Sequence, residues 1–138
     1  MFFVRETIEL IVMPMQNGWK WLVITDDDTL LSVSNFLDLL NDYDDYNDED
    51  GEEAVALGER FHVGSLNTSK LSVDFLAGGG GMVFNRAAVR RIMTSRSESC
   101  VCPENSDAPD DVHVGLCLAS LRIPIIHTDR LHQVTFLH

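Results

Sequence analysis

A short apolar run, Trp21-Leu22-Val23-Ile24, stops at three consecutive carboxylates, Asp26-Asp27-Asp28, and this junction constrains the fold more than any other part of the chain. A run this short and continuous predicts a fully buried strand over Lys20–Thr25. The acids then fall at the strand's C-terminal end, where the chain turns toward a helix. Like charges this close repel one another unless a cation occupies the space between them. A hard divalent ion suits such a place, because Mg²⁺- and Mn²⁺-type sites use one or two carboxylates together with substrate phosphates. The plain alternative is a surface turn that happens to be acidic.

Downstream, the pattern alternates between the two periodicities. Ser32 or Ser34 can cap a helix carrying Val33, Phe36, Leu37 and Leu40 at helical spacing. That helix runs into an acidic loop, Asn41–Glu53. The stretch Asp38–Glu53 holds nine acids and no Lys or Arg, which reads as a self-repelling solvated segment. It lacks the regular alternation of an EF-hand calcium loop. Ala54–Phe61 predicts a second strand and Leu66–Val73 a further short one. Gly78-Gly79-Gly80-Gly81 precedes the apolar Met82-Val83-Phe84, and Asn85 can cap a helix with Ala88, Val89, Ile92 and Met93 on one face. Ser95–Ala108 reads as an irregular polar loop. Pro109-Asp110-Asp111 opens another helix, with Val112, Leu116 and Ser120 at four-residue steps beside Val114 and Leu118. Ile123–His127 is the last strand, with Leu131-His132 in the tail beyond it. Strands alternating with helices place the chain in the α/β class, and 138 residues make one domain or a piece of one.

Composition removes several functions. A net charge of -12 argues against a protein that tracks nucleic-acid phosphates, which needs a basic face. Met1–Met15 is broken by Arg5, Glu6 and Glu9, so it predicts neither a membrane span nor the ordered regions of a signal peptide. No G-x-x-x-x-G-K-[ST] loop is present, and Met82 follows the glycines where a phosphate-binding Lys would stand. A D-x-D-x-T phosphatase needs Thr where this chain has Leu30. No G-x-S-x-G elbow exists. Cys100-Val101-Cys102 is C-x-C, not a zinc or redox C-x-x-C. Together with Cys117 it allows a disulfide to either cysteine in an oxidising lumen, or three free thiols.

The remaining motifs, in order, resemble the fringe-like β-1,3-glycosyltransferases. Trp21–Leu30 is similar to their metal-binding D-x-D strand, and Leu76–Val89 to their glycine-rich segment and its helix. Ala108–Cys117 resembles their acidic catalytic motif, and Leu131-His132-Gln133 their terminal histidine. The similarity spans about residues 19–135, leaving residues 1–18 unassigned. The glycine run and Asn105–Asp111 lie nearest the branch that adds glucose to O-linked fucose.

The resemblance implies a GT-A-type nucleotide-sugar glycosyltransferase fold over residues 19–138, its C-terminal part with an incomplete N-terminal nucleotide-binding half. It implies inverting transfer of a hexose from UDP-glucose, or a related UDP-sugar donor, to the 3-hydroxyl of fucose on a glycoprotein acceptor. Carried over by motif, Asp28 and His132 are direct ligands of Mn²⁺ or another divalent cation, and Asp26 is a further candidate ligand. Asp27 contacts the donor, Gly79, Gly80 and Gly81 bring backbone against sugar, Asp111 is the general base and Asp110 assists it. Cys117 matches a family cysteine, so a bond to Cys100 or Cys102 would tie the preceding loop to the catalytic helix. Family members work in the lumen of the endoplasmic reticulum or Golgi, and a membrane anchor is expected in the full-length protein. The competing expectation is a truncated, inactive remnant that binds metal or a partner without turnover.

Overall fold

The sheet is built around the apolar run that follows the glycines. The computed structural model describes residues 18–47, 53–64, 72–101 and 109–132. In chain order these form β1 (Trp21–Ile24), α1 (Val33–Asp42), β2 (Ala56–Gly58), β3 (Arg60–Val63), β4 (Val73–Leu76), β5 (Met82–Asn85), α2 (Arg86–Met93), α3 (Glu98–Val101), α4 (Asp110–Ser120) and β6 (Ile125–His127). Every residue of β5 is buried. It lies inside a four-stranded mixed sheet of order β1-β5-β2-β6, antiparallel to β1 and β2, while β6 is parallel to β2.

Side chains alternate across a strand, and here both faces are covered. Met82 and Phe84 join Leu22 and Ala56 beneath α2, α3 and α4, where Val89, Ile92, Val114 and Leu118 close the larger core. Val83 and Leu57 point to the other face and meet Leu39 of α1 and Leu131. The chain is thus a mixed α/β structure with helices on both sides of its sheet.

Several expectations change in detail. β1 is an edge strand, and only Leu22 in it is fully buried. The predicted strand Ala54–Phe61 breaks at Glu59. Its second half leaves the sheet and pairs with β4 as a separate two-stranded ribbon, Arg60 opposite Leu76. The predicted strand at Leu66–Val73 falls mostly on 65–71, outside the described residues, and β4 begins at Val73. α1 turns Phe36, Leu39, Leu40 and Tyr43 inward and leaves Val33 and Leu37 exposed. The acidic loop Asn41–Glu53 begins as the end of α1 followed by a 3₁₀ turn at Asp44–Asn47, while 48–52 lie outside the described residues. α3 interrupts the loop expected at Ser95–Ala108.

Three local devices hold the elements together. Asn85 caps α2, accepting from the Ala88 N–H at 2.9 Å, and the same oxygen accepts from the Val55 N–H at 3.0 Å. Its amide donates to the carbonyls of Glu53 at 2.7 Å and Tyr46 at 3.3 Å, so a wholly buried polar side chain is satisfied on both ends. Gly115 brings α4 onto β4: a Cβ there would lie 2.6 Å from the Asp74 carbonyl oxygen. On α4 the buried positions are Val112, His113, Val114, Gly115, Cys117 and Leu118, whereas Ser120 of the expected stripe is exposed. Cys117 forms a disulfide with Cys100, joining α4 to α3; Cys102 lies outside the described residues. Among the described residues, no helix is long and apolar enough to cross a membrane.

Candidate functional site

Strand direction gathers the chemistry at one end of the sheet. Because β1 and β2 run against β5 while β6 follows β2, the C-terminal ends of β1, β2 and β6 open at the edge where β5 starts. The segments at that edge are the acidic turn, Glu59, the glycine run and the stretch ending in His132. Ligands of open α/β sheets bind outside such strand ends. A cleft of about 690 Å³ lies here, within the size range of small-molecule sites.

Each wall has a local cause. After β1, the Thr29 N–H donates to the Asp26 carbonyl at 3.1 Å, closing a tight turn through the acids. The Thr29 hydroxyl donates to the Gly79 carbonyl at 3.2 Å. The Asp26 carboxylate lies over Gly78, where a Cβ would meet it at 3.5 Å. The acidic turn and the glycine turn are therefore fastened to each other. Asp26, Asp28, Thr29, Gly79 and Gly80 all line the cleft, and the start of α1 adds Asn35, Phe36 and Asp38. Gly81 is buried with φ of +95°, a conformation that suits glycine; it shapes the turn and does not line the cleft.

The third wall is Arg130, Leu131 and His132. Arg130 pairs with Asp42 at the end of α1 at 2.8 Å, and Leu131 is buried against α1 and the sheet. His132 Nδ1 lies 2.7 Å from Glu59 Oε1. The two side chains differ sharply in exposure, 60% for His132 against 10% for Glu59.

Asp26, Asp28, Gly79, Gly80 and His132 thus share one cleft. Asp27 is exposed in the same turn and is not among the cleft walls. Asp110 and Asp111 stand in the first turn of α4, off the cleft; Asp111 is half-buried and its Oδ1 accepts from the Val112 N–H at 2.9 Å. Their connection to the cleft runs through β4, on which α4 packs and which leads into the glycines. Among the described residues, no three His, Cys, Asp or Glu side chains form a ready metal cage.

Sequence reasoning did not find Glu59, Thr29 or Arg130. Glu59 alone left a signal, the first of two adjacent charges, with Arg60, that interrupt an otherwise apolar strand pattern.

Comparison with known proteins supplies the family. The Fringe-like family model matches residues 4–137. The chain belongs to the Fringe-like family. That match begins ahead of the first recognisable motif and takes in most of residues 1–18. The chain is also 47% identical over 118 residues to a β-1,3-glucosyltransferase of Homo sapiens, and 45% identical over 117 residues to one of Mus musculus. These alignments cover 86% and 85% of this Fringe-like chain but 21% of each relative. The chain therefore spans about a fifth of the length of the curated relatives it matches.

Proposed function

We propose that this chain carries the metal- and donor-binding end of an inverting β-1,3-glycosyltransferase of GT-A type. The transferred hexose is glucose from UDP-glucose, and the acceptor is the 3-hydroxyl of O-linked fucose on a glycoprotein. One observation carries the reading: three segments far apart in sequence, the acidic turn, the glycine turn and the tail histidine, meet on one cleft.

The donor set suits a divalent cation by ligand type and by its place on one cleft, although among the described residues its side chains are not gathered into a cage. Two carboxylates and an imidazole are the ligand types that hard and borderline ions accept, and the imidazole already has a carboxylate behind it, as metal-bound histidines usually do. Asp28 and His132 would hold Mn²⁺, with Asp26 as a further candidate ligand on the same cleft. When bound, the ion supplies positive charge to the diphosphate that departs as UDP. Among the described residues lining this cleft, Asp26, Asp28 and Asp38 stand against one cationic side chain, Arg130, itself paired to Asp42. Such a surface repels a diphosphate unless a cation comes with it.

The chain's own groups do the rest. Gly79 and Gly80 present bare backbone to the cleft, so a sugar can approach where a side chain would collide. Asp27, in the same turn but outside the cleft wall, is given the donor contact by the family resemblance alone. Asp111 takes the proton from the attacking fucose hydroxyl, and Asp110 orients it or the acceptor. The Cys100–Cys117 disulfide agrees with work in an oxidising lumen, the endoplasmic reticulum or Golgi.

Sugar transfer to a fucosylated acceptor, measured for wild type and Asp111→Asn, tests the assignment. A loss of about 10²-fold or more is expected for a general base; equal rates remove Asp111 from that role. A second reading, a module that binds metal and UDP without turnover, is favoured by the position of Asp110 and Asp111 off the cleft wall. It predicts saturable UDP binding in the presence of Mn²⁺ with no transfer.

A further inference from the structure

Among the described residues, Glu59 is the only carboxylate the fold buries. It sits where β2 ends and β3 departs, its carbonyl accepting from the Ala77 N–H at 2.9 Å. Its backbone therefore fixes the strand just ahead of the glycines whatever its side chain does. Burying a carboxylate is costly unless it is hydrogen-bonded, and Oε1 lies 2.7 Å from His132 Nδ1. An ionised carboxylate only accepts, so this contact requires the hydrogen on Nδ1. In a neutral ring, Nε2 is then left with its lone pair.

We infer that Glu59 is a positioning residue: by keeping the proton on Nδ1, it holds His132 in the tautomer whose Nε2 can ligate a cation in the cleft. The identity of Nε2's partner rests on the function proposed above; the tautomer does not. A neighbouring histidine provides the contrast. His127 Nδ1 accepts from the Arg60 N–H at 3.1 Å, while its Nε2 lies 3.2 Å from Asp129. A neutral His127 must therefore carry its hydrogen on Nε2, opposite to His132. Two imidazoles at one sheet edge are thus held in different forms by different partners.

Nitrogen-15 imidazole correlation spectra of the metal-free full chain, taken at alkaline pH where imidazoles are neutral, read this directly. Wild type should show His132 as the Nδ1–H form and His127 as the Nε2–H form. Glu59→Gln, whose amide oxygen still accepts, should preserve the His132 pattern. Glu59→Ala should move His132 toward Nε2–H and leave His127 unchanged. Mn²⁺ titration followed by electron paramagnetic resonance should then show about 10- to 100-fold weaker binding for Glu59→Ala, with Glu59→Gln close to wild type. An Nε2–H signature for His132 in wild type overturns the inference, even if Glu59→Ala does not fold. So does a switched tautomer that leaves Mn²⁺ affinity unchanged. If wild type binds no Mn²⁺, the proposed function fails, while the spectra still decide what Glu59 does to His132.

Discussion

Replacing Asn85 by alanine should destabilise the fold severely while sparing the cleft. Asn85 is fully buried and lies at the end of β5 away from the glycines. Its side chain is the cap of α2 and also the link between β5, the approach to β2 and the turn after α1. Losing the cap costs about 1 kcal/mol. The Val55 N–H and the Glu53 carbonyl lose their side-chain partner, and an orphaned buried group costs ~1–3 kcal/mol. Together these give roughly 3–5 kcal/mol, allowing for partial relaxation. That is a large part of the ~5–15 kcal/mol typical of a domain. Asn85→Ser restores an oxygen able to cap α2 but too short to bridge both strands, so it should lie between alanine and wild type. Urea unfolding followed by circular dichroism gives the stabilities, and hydrogen exchange at Val55 reports the bridging bond separately from the cap at Ala88. A loss below about 1 kcal/mol for Asn85→Ala, with Val55 exchange unchanged, would refute the claim that this side chain joins three elements.

Two further outcomes follow from packing and covalent structure. Gly115→Ala places a Cβ 2.6 Å from the Asp74 carbonyl oxygen, so α4 must move off β4; unfolding should show a loss of about 1–3 kcal/mol. Replacing Cys100 and Cys117 together by serine opens a loop with a sequence separation of 17 and should cost about 3 kcal/mol in the chain-entropy model. Reducing agent should lower wild-type stability toward that of the double variant and leave the variant itself unchanged.

The parts of this fold legible in the sequence are those set by neighbours in the chain. Asn85 was readable as a cap because an amphipathic helix follows it at once. β1 was readable as a strand from its continuous apolar run, and the acidic and glycine turns by composition, whereas Met82-Val83-Phe84 showed only as an apolar stretch and not as the strand β5. What depends on partners distant in sequence was not. The break at Glu59 is a change of sheet, and periodicity carries no sign of which sheet a strand joins. α1 has apolar residues on more than one face, so spacing alone did not show that Leu39 and Tyr43 go inward while Val33 and Leu37 stay out. The cleft exists because β1 and β2 run against β5, a direction the sequence does not state. The fringe-like motifs named Asp26, Asp28 and His132 individually; only the fold puts them on one surface. Glu59 escaped notice because its partner is 73 residues away.

The central claim is that the acidic turn and the tail histidine act together on one cation and its nucleotide. UDP titration by calorimetry, with and without Mn²⁺, on wild type, Asp28→Ala and His132→Ala tests it most directly. The account predicts saturable, Mn²⁺-dependent UDP binding in wild type, weakened at least about 10-fold by either substitution, with all three chains equally folded. UDP affinity that is independent of Mn²⁺, or that survives both substitutions unchanged, would contradict it.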